Sequence, residues 1–160
     1  MTAFTVALLY IGSLLPIEQL GIIALSSLLG IAAVIEAGIG AGVFVFIGSS
    51  ILGAVVVQFR PMIHFYVLFF GYYPIVKSFA EKLKNDILKW TVKLAVFNAA
   101  LSALWFGFSS LIFIPAILKL GVALVYILGN IAFIAYDIGV SRLISFYIMR
   151  VSKHIKKTDR

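Results

Sequence analysis

Between Gln19 and Gln58 the chain carries one ionisable side chain, Glu36, in a run of aliphatic, small and phenylalanine residues. A helix needs about 20 predominantly apolar residues to cross the hydrocarbon core of a bilayer, so this run alone supplies material for two crossings. The whole chain agrees, with 63% hydrophobic residues, only 12% charged ones and a mean hydropathy of +1.15 over 160 residues. A water-soluble domain of this size has about 45–50% apolar and about 25% charged residues. The fold class this predicts is an all-α integral membrane protein.

Breaks at proline, glycine and charge divide the chain into six candidate spans: Thr2–Leu15, Glu18–Ile35, Gly38–Phe59, Pro61–Ala80, Ile87–Leu111 and Ala116–Met149. The first is short and ends in a tight "LLPIEQ" turn. The joints at 36–38 and 59–61 are short enough to make the helices they join antiparallel hairpins. Residues 1–149 form one transmembrane domain and 150–160 a basic tail. No stretch reads as a low-complexity linker. The apolar start, Met1 to Leu15, lacks the positive flank and small-residue cleavage site of a signal peptide, so it reads as a retained segment.

Orientation follows from the basic residues. With both termini cytoplasmic, 11 of the 13 lysines and arginines lie at or near the inner side, in the 77–93 region and from Arg142 onward, with only Arg60 and Lys119 outside. That bias obeys the positive-inside rule and fits a bacterial plasma membrane. The net charge of +7 therefore points to membrane lipid headgroups or a cytoplasmic partner, with no nucleic acid. Glu36 falls at the inner end of the second span, where a carboxylate costs far less than at mid-bilayer. It reads as an interfacial residue near the basic 77–93 loop, with Lys77 as the partner of any buried pairing. Gly38, Gly40 and Gly42 follow no strand and precede no Lys-Ser/Thr, so they suit close helix packing and form no nucleotide loop.

Polar residues inside spans mark function most directly. Asn98, Ser102, Trp105 and Ser109 share one face of the fifth span, and Tyr126, Asn130 and Asp137 share one face of the sixth. Both faces turn toward the bundle interior, since lipid cannot satisfy an amide. Asp137 lies toward the inner side, near Arg142. Arg60 and His64 stand one turn apart at the outer start of the fourth span. Arg60, His64, Trp105, Tyr126 and Asn130 are the candidate ligand-binding residues, with Arg60 offering a fixed charge to an anion and Trp105 and Tyr126 a stacking wall.

Catalytic constellations are missing: no HExxH, no GxSxG, no Walker motif and no paired intramembrane aspartates. With zero cysteines, thiolate metal sites and disulfides are excluded. The chain is expected not to be an enzyme and to need no cofactor or metal.

A six-span chain with a short first helix, both ends inside and a basic inner loop resembles the substrate-binding S components of energy-coupling factor transporters. In that family an Ala-x-x-x-Ala patch on the first helix meets a transmembrane coupling subunit, and "AFTVA" places Ala3 and Ala7 at that spacing. The resemblance implies a vitamin-like small-molecule ligand held in an outward-facing pocket of the last three helices and outer loops. It also implies partner ATPases for the energy step. The rod-shape-determining membrane protein family looks similar in size and span number and implies the alternative, a non-catalytic scaffold. The "KSFAEKLKNDILKW" loop and the "MRVSKHIKKTDR" tail would then be docking surfaces.

Overall fold

The computed structural model describes residues 1–15, 19–57, 60–107 and 121–158, without the side chains of Arg60 and 150–158. The described residues are helical, with no strand among them. In order they form α1 (Thr2–Leu14), α2 (Gln19–Val56), α3 (Arg60–Phe65), α4 (Tyr73–Ala80), α5 (Asp86–Ser102) and α6 (Val122–Thr158). A π-helical turn, Tyr66–Phe70, links α3 toward α4, and a second, Ala103–Gly107, extends α5. Pro74 enters α4 in its first turn, where its missing N–H costs no hydrogen bond. Asn85 caps α5 by accepting from the Ile87 N–H at 2.9 Å, and Asp86 adds a carboxylate beside the positive helix end.

α2 is interrupted at Gly38, whose φ of 84° and ψ of 178° belong to backbone that glycine alone adopts without strain. A Cβ at Gly42 would overlap the Val34 side chain. In a continuous helix those residues would stand about 12 Å apart, so the chain folds back into two arms, 19–37 and 39–56. Small residues let the neighbours close in: a Cβ at Gly12 would come within 2.5 Å of Met62 and 2.7 Å of Ile22, and one at Gly53 within 2.7 Å of Ile63.

Side-chain pairing fixes the directions. Ser27 meets Tyr136 and Glu36 meets Tyr147, so the 19–37 arm runs parallel to α6. Tyr73 and Lys77 meet Asp137 and Ser141, so α4 does too. α5 runs opposite, since its Lys93, Asn98 and Ser102 meet Asp137, Asn130 and Tyr126 in falling order. The 39–56 arm opposes α3 through Ser49 with Tyr66 and Gly53 with Ile63. Two cores result. Leu9, Ile23, Met62, Ile63 and Tyr66 join α1, α2 and α3. Phe69, Tyr73, Ala100 and Phe133 join α4, α5 and α6, where Phe97 stacks on Phe133 at 4.6 Å.

Polarity is inverted relative to a soluble protein. Phe44 and Val55 are 78% and 81% exposed, while Lys77, Lys93, Asp137 and four Ser/Thr side chains are buried. Such an exterior suits hydrocarbon. Three elements are long and apolar enough to cross a membrane: Gln19–Val56, Asp86–Gly107 and Val122–Met149. The expected six spans differ from this for identifiable reasons. α1 has only 13 residues, the second and third spans merge across Gly38, and the fourth is broken at the π turn. The expected fifth-to-sixth connection lies outside the described residues. The last helix runs without a break across the 149/150 boundary to Thr158.

Candidate functional site

The most unusual chemistry lies where α4, α5 and α6 meet near the 81–85 turn. Lys77 sits one turn before the end of α4, Lys93 two turns into α5, and Asp137 on the facing side of α6. The lysines are each 3% exposed and the aspartate 2%. Asp137 Oδ1 accepts from Lys77 Nζ and from Tyr73 Oη, and its Oδ2 accepts from Lys93 Nζ at 3.0 Å. Lys77 also donates to Ser141 Oγ at 2.8 Å and to the Asp137 carbonyl at 3.3 Å, which uses its three N–H groups. Lys93 donates to Glu81 Oε1 at 2.5 Å and lies 5.3 Å from the centre of the Trp90 ring.

The charge arithmetic explains Glu81. Two buried lysines against one buried aspartate leave a positive charge in a low-dielectric setting, an arrangement that is costly unless paired. Glu81, with a side chain 45% exposed, supplies the balancing carboxylate from the edge, reaching Lys93 directly and Lys77 at 3.9 Å. The cluster is thus neutral and hydrogen-bonded, which is the condition for charges to persist inside a bundle.

Beside it opens a cleft of about 680 Å³ between the start of α5 and the second half of α6. Lys89, Trp90, Lys93, Arg142, Phe146 and Met149 are among its lining residues. Lys89 is held by Asp86 at 2.7 Å, whereas Arg142 is exposed and makes no ion pair among the described residues.

Farther from the turn, the α5–α6 contact becomes neutral. Asn98 and Asn130 exchange side-chain amide hydrogen bonds at 2.9 and 3.1 Å, and the hydroxyls of Ser102 and Tyr126 meet at 2.6 Å. Two of the predicted ligand residues, Tyr126 and Asn130, are therefore engaged with α5. Trp105 is half-buried in the π turn beyond Ser102. His64 is half-buried on α3, whose packing partners are α1 and α2. The Arg60 side chain and Ser109 lie outside the described residues. Ala3 and Ala7 are both exposed, on the same side of α1 as Phe4 and Ile11.

The pairing named for Glu36 changes. Lys77 pairs with Asp137 and not with Glu36, because it lies inside the α4–α6 contact while Glu36 is exposed and accepts from Tyr147 Oη. Asp137 takes Lys77 and Lys93 as its partners, because it faces α4 and α5, while Arg142, five residues on, is exposed and lines the cleft. Sequence reasoning counted Lys93 only as an inner-side charge, and offered Lys77 to Glu36 alone. The signal that Lys93 does more was its position two turns inside an apolar helix, where an ammonium needs a counter-ion. Among the described residues no group of three or more His, Cys, Asp or Glu could hold a metal ion.

No family model, curated protein or solved structure matches the chain. Its chemistry has to be read from its own residues.

Proposed function

We propose that this chain is a multi-pass protein of a bacterial plasma membrane, with six spans and both termini cytoplasmic. In this reading it is a non-catalytic scaffold subunit that holds partner proteins. The two arms of α2 would each cross separately, since about 28 Å per arm matches a hydrocarbon core of about 30 Å. The observation that carries the scaffold reading is the mutual satisfaction of the α5–α6 polar groups. Asn98 with Asn130 and Ser102 with Tyr126 use the hydrogen bonds that a ligand would otherwise take.

A second reading, a vitamin-binding subunit of an energy-coupling-factor importer, is favoured by one feature. Ala3 and Ala7 are exposed together, beside Phe4 and Ile11, on a short helix free to receive a coupling subunit.

Purification from native membranes in mild detergent, followed by mass spectrometry of proteins and small molecules, separates the two. Stoichiometric partner proteins without a bound metabolite are expected. An ATPase pair with a vitamin-like molecule would install the second reading, and a chain recovered alone would contradict both.

A further inference from the structure

The cleft beside the ion cluster combines two features that seldom serve the same soluble ligand. Its charged end presents Lys89, Lys93 and Arg142; its other wall is Ile138, Phe146 and Met149. Those three apolar residues are 44%, 58% and 61% exposed, so the wall is continuous with the apolar outer face of α6. An inorganic anion has no use for such a wall, whereas an acyl chain does.

The charges around the cleft do not cancel. Lys77, Lys89, Lys93 and Arg142 face Glu81, Asp86 and Asp137, which leaves one positive charge for the group as a whole. The surplus is located at Arg142, whose guanidinium has no acidic partner among the described residues. Its planar fork suits the oxygens of a phosphate. Lys89 is held only by the exposed Asp86, a surface pair that exchanges partners cheaply. Trp90, lining the same cleft, is a residue type favoured at headgroup level.

We propose that the cleft between α5 and α6 binds one anionic phospholipid. Arg142 and Lys89 receive the phosphodiester, and an acyl chain runs from Ile138 toward the bilayer centre along the exposed Ile134 and Ile131 of α6. The single negative charge of a phosphodiester neutralises the surplus. Glu81 closes the far end of the site by holding Lys93, so the lipid phosphate stays at the rim and does not enter the buried cluster. This inference rests on the membrane reading above, though not on either choice of partner.

The test uses the full chain purified in a neutral detergent and titrated with phosphatidylglycerol or phosphatidylcholine, with bound lipid read by native mass spectrometry. One phosphatidylglycerol should be retained in preference to phosphatidylcholine. Arg142→Gln, an exposed substitution that leaves the buried cluster intact, should lower that retention about tenfold, the effect of losing one charge-assisted contact. Ile138→Ser should lower it without changing the preference for negative charge. Equal retention of the two lipids, or an Arg142→Gln variant that retains phosphatidylglycerol as the unaltered chain does, overturns the proposal. Competition by glycerol phosphate at equal concentration would also overturn it, by assigning the cleft to a soluble anion. If instead the chain stays monodisperse with no detergent, the membrane reading itself fails.

Discussion

The contact between α5 and α6 contains two polar layers built on opposite terms. Near the 81–85 turn, Lys93 and Asp137 meet as charges, with Lys77, Tyr73 and Glu81 completing the set. Nearer the other end, Asn98 with Asn130 and Ser102 with Tyr126 meet as neutral groups. Both layers are fully hydrogen-bonded, yet they respond differently to loss. A neutral partner left alone inside a membrane bundle finds other acceptors, and such bonds average only about 0.6 kcal/mol. A charge left alone finds none, and breaking a buried pair costs about 3–5 kcal/mol. Satisfaction in the folded state therefore says little about what each layer contributes; what it leaves behind when broken says more.

Asp137→Ala should give the largest effect, about 3–5 kcal/mol lost, because it strands two buried lysines together. Thermal unfolding in detergent measures it, and adding Lys77→Met should recover much of the loss, since Lys93 keeps Glu81. A single variant as stable as the unaltered chain would erase the distinction between the layers.

Lys93→Met should cost less, about 1.5–3 kcal/mol. It leaves Lys77 and Asp137 as a matched pair and releases Glu81 from an already half-exposed position. If it proves as damaging as Asp137→Ala, Glu81 is not the balancing carboxylate.

In the neutral layer, Asn98→Ala and Asn130→Ala should each cost about 0.6 kcal/mol. A double-mutant cycle should show the second substitution nearly free once the first is made, because the two amides bond to each other. Strictly additive losses would mean that each amide is held mainly by its own helix.

Glu36→Gln marks the small end of the scale. Glu36 is exposed and its partner Tyr147 half-buried at the bundle surface. Melting temperature and partner recovery should match those of the unaltered chain, and loss of partner binding at normal expression would make Glu36 a functional residue.

Much of the helical architecture was legible in the sequence, and the reason is physical. Apolar runs broken by glycine and proline state where helices begin and end, and the Gly38 reversal falls at the expected joint of 36–38. The shared faces of Asn98 with Ser102 and of Tyr126 with Asn130 follow from helical spacing alone. The pairing of charges was not legible in the same way. Which lysine reaches Asp137 depends on the rotation of α4 against α6, set by the Phe69, Tyr73 and Phe133 packing between them. Spacing within one helix carries no information about that rotation. Arg142 is the nearest cation along the chain, yet tertiary packing gives Asp137 to Lys77 and Lys93. The π turns were equally hidden, since Tyr66–Phe70 and Ala103–Gly107 contain nothing that local propensity sets apart from a regular helix.

In the proposed topology the ion cluster and its cleft lie at the cytoplasmic end of a membrane bundle. The absence of native cysteine makes that directly measurable by labelling intact cells with a membrane-impermeant thiol reagent. Single substitutions Asn85→Cys, beside the cluster, and Thr158→Cys, at the end of α6, should stay unlabelled until the cells are opened, while Lys119→Cys should label at once. Labelling of Asn85→Cys from outside would place the cluster on the opposite side and contradict the account.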